Sequence, residues 1–268
     1  MADALDAFLA RTPREQGVYR VSDAAAWHTY SERQWRRRAR QFELFSDSAL
    51  RALPRVAPDH PQAARWRERA RAADRLAEHL SRQNRLVILE VGCGAGWLTH
   101  RLAVLRATAE LRTTRVWGID VNERDLRQAA RVFVERPSAK YLLADVLTAD
   151  LPAAQFTTIV LVDTLQHLVD PVAALSRCLT LLRPGGEIHL LDGPIWRAPT
   201  VAAARHRMTG QLAASGLEWT LDDLSWPTWH MLRPFRPEVL LDPSSTRQWL
   251  ERLWRPEQAP RPWVVIRR

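Results

Sequence analysis

The residues best suited to chemistry form one short run, Glu90-Val91-Gly92-Cys93-Gly94-Ala95-Gly96, between a strand-like apolar segment and a helix-like one. Glycines at this spacing let the backbone turn sharply and bring a ligand against amide groups at a helix start. A dinucleotide fingerprint would carry its third small residue at position 97, but Trp97 stands there and the third glycine arrives one residue early. A GxGxG turn behind an acidic residue suits a nucleoside cofactor with no pyrophosphate to cradle. Two further acids extend the pattern. Asp120 closes a second strand-like run, 24 residues past Gly96, where a carboxylate accepts from both ribose hydroxyls. Asp145 closes a third, where it accepts from an adenine amino group. Taken singly, each acid reads as a solvated strand end or a helix cap; the glycine turn and both acids in this order favour a cofactor site.

These residues need a sheet to hold them. Residues 85–193 alternate apolar runs with helix-like stretches, the pattern of β-α units in a parallel sheet. Strands are expected at Leu86–Val91, Val116–Asp120, Tyr141–Ala144, Thr158–Val162 and Glu187–Leu191. Helices are expected at Trp97–Arg106, Asn122–Glu135 and Pro171–Leu182, the last broken by Arg183-Pro184-Gly185-Gly186. Such a doubly wound sheet takes its ligand beyond the carboxyl ends of the strands, at the switch point. Residues 1–84 show no strand-like alternation and read as a helical N-terminal extension or lid, with a helix over Pro61–Leu80. Residues 85–268 form the main domain, with a substrate-side insert at about 194–235, and the run Trp263–Ile266 is strand-like.

Composition narrows the class. At 268 residues, 46% hydrophobic and 26% charged, the chain is ordinary globular material, with no run long enough to span a membrane and no secretion signal at its start. Two cysteines, Cys93 and Cys178, make neither a disulfide framework nor a paired zinc motif, and a cytoplasmic setting is expected. The net charge of +9 sits on the flanks, at +6 over residues 1–86 and +4 over 194–268 against −1 between them. Basic flanks admit a nucleic-acid partner. A preference for arginine, with Lys140 the lone lysine, produces the same charge with no partner at all. In Arg33–Arg40 the arginines spread over more than one helical face, the habit of a solvated surface, and only Trp35 is interleaved for base stacking.

The segments ILEVGCGAGWLT, GID at 118–120, AD at 144–145, TTIVLVDTLQHLVDP and LLRPGGEIHLLD together resemble the class I S-adenosylmethionine-dependent methyltransferases, most nearly the small-molecule "type 11" branch. The resemblance covers about residues 85–193. It implies an α/β fold with a doubly wound, mostly parallel seven-stranded sheet: two strands follow the fifth, one antiparallel, with Trp263–Ile266 as one and either 217–221 or 237–241 as the other. It implies S-adenosylmethionine as methyl donor and S-adenosylhomocysteine as product. Glu90, Gly92, Cys93, Gly94 and Gly96 would line the methionine and ribose portion, Asp120 and Val121 the ribose, Asp145 and Val146 the adenine, and Asp163 would lie near the sulfonium.

His167, just beyond the fourth strand, is the candidate general base where the acceptor is a weak nucleophile; otherwise it is a packing residue of the loop. Asp163 and Asp192 close adjacent strands as in metal-dependent O-methyltransferases, but those enzymes place an asparagine where Gly193 stands, so no metal site is assigned. Trp27 and Tyr30 are expected to close over the cofactor. The tryptophans outside residues 85–193 would either roof a pocket for a planar or lipophilic acceptor or fill a core between annex and sheet. The reading is methyl transfer to a small-molecule acceptor. The alternatives are an RNA methyltransferase using the basic flanks, which lacks an NPPY-like tetrapeptide after the fourth strand, and a non-catalytic cofactor-binding protein.

Overall fold

The computed structural model describes residues 3–83, 86–105, 114–214, 216–242 and 261–268. Its centre is the strand β3 (Val87–Val91), buried at all five positions because helices cover both faces of the sheet. Alternation divides its side chains. Leu89 packs with Leu5, Phe8 and Leu9 of α1 (Ala4–Arg11) and with Leu175 and Cys178 of α7 (Pro171–Leu181). Ile88 packs on the opposite face with Leu76 and Leu80 of α4 (Ala63–Leu80) and with Leu98 and Leu102 of α5 (Trp97–Ala103). Two of the helix starts are capped as their residue types suggest: Asn122 accepts from the amides opening α6 (Glu123–Val132), and Asp170, followed by Pro171, does the same for α7.

The remaining strands are β1 (Arg14–Glu15), β2 (Val18–Arg20), β4 (Arg115–Asp120), β5 (Ala139–Leu143), β6 (Phe156–Val162), β7 (Leu182–Leu191), β8 (Glu238–Leu241) and β9 (Trp263–Arg267). Their order across the sheet is β1-β2-β5-β4-β3-β6-β7-β9-β8. The run from β2 to β7 is parallel, while β9 runs antiparallel between β7 and β8. The chain lays down β3, β4 and β5 outward in one direction and returns to place β6 beside β3, so the switch point lies between β3 and β6.

Three expectations need correction. The sheet has nine strands among the described residues, not seven, because a hairpin from the N-terminal region pairs β2 onto β5. Its strands are two and three residues long, too short to show alternation; Gln16 and Gly17 turn between them with positive φ. Residues 1–84 are therefore not purely helical, although α2 (His28–Arg40), α3 (Asp47–Ala52) and α4 supply most of the region's regular structure. Finally, Arg183–Gly186 does not interrupt the chain between helix and strand: β7 begins at Leu182, directly after α7, and passes through those residues with a register irregularity opposite β6. Of the two sites left open for the remaining strand, 238–241 is the strand, whereas Glu218–Asp223 is a 3-10 helix following α8 (Val201–Ala213). Arg106, Trp249 and Trp254 lie outside the described residues.

Candidate functional site

A cavity of about 240 Å³ opens at the carboxyl ends of β3, β4, β5 and β6, where the switch point requires it. Its floor is the glycine turn. Gly92, Gly94 and Gly96 all hold positive φ, a backbone region that side chains disfavour. They serve different ends. At Gly96 a Cβ would come within 2.5 Å of the Tyr141 ring and 2.8 Å of Ala129 Cβ, so this glycine permits packing beneath α5 and does not itself line the cavity. At Gly94 nothing lies within 4 Å of that position, and the bare backbone faces the opening.

Asp120, half-buried at the tip of β4, accepts the Gly94 amide at 2.8 Å and the Asn122 amide at 2.8 Å, one on each oxygen. The carboxylate thus braces the turn and keeps lone pairs for further donors. Burial, with repulsion from Asp125, raises its pKa to about 6 against those two amides. Glu90 lies deeper, 3% exposed, and accepts from the Thr99 hydroxyl. Burial first, then the charge of Asp120, lifts its pKa to about 8, so it holds a proton at neutral pH. Gly118 explains the glycine of GID: a Cβ there would meet Thr99 Oγ1 at 2.5 Å and Cys93 Sγ at 2.9 Å. Asp145 closes on its own chain, accepting from the Leu147 amide at 3.0 Å and the Thr148 hydroxyl at 3.1 Å. Val121 and Val146 stand beside these acids along the wall.

The other wall carries a network absent from the expectations. Asp163, at positive φ after β6, meets Arg65 at 3.0 Å, Arg69 at 2.9 Å and Arg261 at 3.5 Å. Arg65 also reaches Asp192 at 2.7 Å, and Arg69 reaches Glu43 at 3.6 Å. Burial alone would raise the Asp163 carboxyl, but Arg65 and Arg69 outweigh it and hold the pKa well below the ordinary range. Asp192 moves the other way, pushed up by burial and by Asp163 against Arg65. The positive charge between the two strand-end aspartates is arginine's, and Asp163 reaches the cavity already engaged by three guanidinium groups. Beside it, His167 has a buried Nδ1 with no hydrogen-bond partner. Burial, then Arg37, lowers its pKa to about 4 despite Asp163, leaving the ring neutral.

Residues 89–190 match the family model described as "Methyltransferase domain". These residues form a methyltransferase domain. An uncharacterised methyltransferase of Mycobacterium tuberculosis (strain H37Rv) is 39% identical over 101 residues, 38% of this chain and 47% of that protein. A ubiquinone biosynthesis O-methyltransferase of Leptothrix cholodnii is 29% identical over 160 residues, 58% of this chain and 60% of that protein. The chain thus spans about half the length of the curated relatives it matches. Magnesium protoporphyrin IX methyltransferase from Synechocystis PCC 6803, with bound S-adenosylhomocysteine, shares the fold at a TM-score of 0.56 and 16% identity, covering 92% of this chain and all of that one (100%).

Within this methyltransferase domain, Glu90, Gly92, Cys93, Gly94, Asp120, Val121, Asp145, Val146, Asp163 and His167 all line the one cavity, and Gly96 alone of the expected residues does not. Trp27 and Tyr30 line it as well, edge to face at 5.8 Å. The described part of residues 194–235 does not line it, contrary to the idea of a substrate-side roof. The aromatic roof comes instead from Trp27, Tyr30, Phe45, Trp66 and Trp97, the last two meeting at 5.4 Å. Trp263 lies at 8% exposure in the core, and Trp196 packs on Trp226 at 5.7 Å.

Sequence reading also missed Gln34, Arg37, Arg38, Glu43 and Arg69 as lining residues. The basic run is not simply a solvated face: Arg33 pairs with Asp223 at 3.1 Å, Arg38 with Asp125, and Arg37 turns into the cavity. Gln34 and Arg37 stand three residues apart on α2, as do Trp66 and Arg69 on α4, so one helical face of each was the available signal.

Proposed function

We propose that this domain binds S-adenosylmethionine in the cavity and catalyses transfer of its methyl group to a small-molecule acceptor. The observation that carries the reading is the open backbone at Gly94 with the Asp120 carboxylate bonded beneath it. That cradle would fill on adding a Cβ, and its donors and acceptors match an adenosyl group. Asp120 would accept from the ribose hydroxyls, Val121 and Val146 would flank the nucleoside, and the Asp145–Leu147 turn would present backbone groups to the adenine. Glu90, holding its proton, would support the turn without adding a negative charge.

S-adenosylmethionine, when bound, supplies an activated sulfonium methyl, so the protein's work is chiefly alignment and exclusion of water. Trp27, Tyr30, Trp66 and Trp97 would perform that exclusion. His167 is neutral and has a free nitrogen, so it would accept a proton from a hydroxyl acceptor; its low pKa makes it a weak base that would act only where the acceptor is itself acidic. A small acceptor is favoured over RNA because the basic run is largely engaged internally, with Arg33, Arg38 and Arg40 bonded to Asp223, Asp125 and the Gly216 carbonyl.

Isothermal titration tests the reading. S-adenosylhomocysteine is expected to bind the intact protein, and Asp120→Ala is expected to abolish binding while the far-ultraviolet spectrum is retained. Absence of binding to the intact protein would sink the proposal.

A further inference from the structure

Six carboxyl groups line the cavity, and five accept hydrogen bonds from the protein. Glu90 accepts from the Thr99 hydroxyl, Asp125 from Arg38, and Asp120 and Asp145 from amides at their own strand tips. Both oxygens of Asp163 are engaged twice: Gln166 Nε2 at 2.8 Å and Arg261 at 3.5 Å meet Oδ1, while Arg65 at 3.0 Å and Arg69 at 2.9 Å meet Oδ2. Glu43 is the sixth. Its carboxylate accepts no hydrogen bond among the described residues, and its contact with Arg69 Nη1 is 3.6 Å long. Its backbone is fixed, because the Glu43 amide donates to the Arg38 carbonyl at 2.8 Å and its own carbonyl accepts from Arg38 Nη2 at 3.1 Å.

The Arg69 guanidinium fixes where that carboxylate stands. Nη1 faces Glu43, Nη2 meets Asp163 at the tip of β6, and Cζ lies 4.8 Å from the centre of the Trp66 ring. Trp66 in turn meets Phe45, two residues beyond Glu43, at 5.3 Å, and Trp97, directly after the glycine turn, at 5.4 Å. Glu43 therefore stands over the interval between the tips of β3 and β6, among aromatic rings and across one guanidinium from Asp163. A donor with its ribose on Asp120 and its amino-acid portion over the glycine turn brings its sulfur to this interval.

An uncommitted carboxylate selects a cation, and the neighbouring groups select the kind. An ammonium asks for several acceptors, but the oxygens of Asp163 are taken and neither the Arg69 guanidinium nor the rings offer a lone pair. A sulfonium carries no N–H and asks for none; aromatic faces with one carboxylate in range suit it. We infer that Glu43 recognises the positive charge of the methyl donor, its carboxylate acting on the sulfonium beside Phe45, Trp66 and Trp97. Methyl transfer leaves the electron pair of the broken C–S bond on sulfur, so the product is a neutral thioether and the attraction ends with the reaction. This rests on the proposed donor binding and names the residue that separates the charged donor from its uncharged product.

The test is titration calorimetry in the absence of any acceptor, with S-adenosylmethionine and S-adenosylhomocysteine each titrated into the intact protein and into Glu43→Gln, Glu43→Ala and Glu43→Asp. Glu43→Gln and Glu43→Ala are expected to weaken S-adenosylmethionine by about ten-fold while S-adenosylhomocysteine stays within about two-fold, and Glu43→Asp to recover part of the loss. Two uncharged variants are used so that a folding defect in one, seen in its thermal melt, leaves the other to decide. A ratio of the two affinities that does not move overturns the inference and leaves methyl transfer standing. That holds where neither ligand weakens, and equally where both weaken together, since Glu43 would then hold the ammonium they share. No binding of S-adenosylhomocysteine to the intact protein removes the proposed function and this inference together.

Discussion

Arg65 Nη1 lies 2.7 Å from Asp192 Oδ1, joining α4 to the tip of β7 across 127 residues of chain. A second nitrogen of the same guanidinium donates to the Asp192 carbonyl at 3.1 Å, and Asp192 is only 3% exposed. The N-terminal region is thereby tied to the sheet beside the cavity. Arg65→Met should leave that carboxylate under-compensated and lower stability by about 3 kcal/mol, read as a shift in the urea midpoint. Asp192→Asn, which removes the buried charge and keeps an oxygen to accept from Arg65, should cost less. A midpoint unmoved by Arg65→Met would show that the pair does not hold the region.

The glycines of the turn should separate by function. Gly96→Ala brings a Cβ to 2.5 Å from Tyr141 at a φ of 74° and should destabilise the fold by about 3 kcal/mol. Gly94→Ala meets no neighbour within 4 Å, so it should cost only about 1 kcal/mol of backbone strain. It should nevertheless reduce S-adenosylhomocysteine affinity by at least about ten-fold, because the added methyl projects into the opening. Thermal melts and titration calorimetry on both variants would expose a reversed order.

Asp120 predicts how cofactor affinity depends on pH. Its pKa is raised to about 6, chiefly by burial, and only the ionised carboxylate retains enough lone pairs for two amides and two ribose hydroxyls. Affinity for S-adenosylhomocysteine should be constant above about pH 7 and fall as pH drops through 6. A profile flat from pH 5 to 8 would argue against ribose recognition by Asp120.

Glu90 should act on stability in the opposite sense to an ordinary carboxylate. Its folded pKa of about 8 exceeds the ordinary 4.5, so the folded form keeps a proton that the unfolded chain releases. Its stabilising contribution is complete below about pH 4.5, declines as pH rises through that interval, and levels off above 8. Glu90→Gln keeps an acceptor for Thr99 and removes the dependence. The variant should gain on the parent as pH rises, by on the order of 1–3 kcal/mol at pH 8. Paired denaturation curves at pH 5 and pH 8 measure this, and an unchanged difference would refute it.

At the far side of the sheet, His79, Glu187 and His189 place their ligand atoms within 4.8 Å of one another. Trp263 Nε1 donates to His189 Nδ1 at 3.2 Å, and an indole nitrogen only donates, so the His189 proton sits on Nε2, facing Glu187 at 3.4 Å. The trio is held by the His79–Glu187 hydrogen bond at 3.1 Å and by the approach of His189 to the same carboxylate. The contacts with His189 and His79 outweigh burial and lower the Glu187 pKa to about 2. Stability from Glu187 should be present above about pH 4.5 and be lost as pH falls towards 2. Glu187→Gln should flatten that acid limb in a Tm-against-pH series, and an identical limb in parent and variant would count against stabilisation of the Glu187 carboxylate by the two histidines.

What the sequence determined by itself was the part of the molecule governed by local rules. Apolar runs of strand length, the glycine turn, and acids at strand ends are consequences of short-range sterics and hydrogen bonding. They placed β3 to β6 and nine of the ten expected cofactor-site residues on a single cavity. Tertiary structure alone decided the rest. The β1–β2 hairpin is too short to carry a period, and its pairing with β5 depends on an edge more than 100 residues away. The ion pairs of Asp163 were not legible because its arginines lie at positions 65, 69 and 261, and ion pairing follows distance in space. Arg37 looked like one more surface charge until α2 was laid against the sheet, because periodicity gives a helix its faces but only packing chooses which of them looks inward.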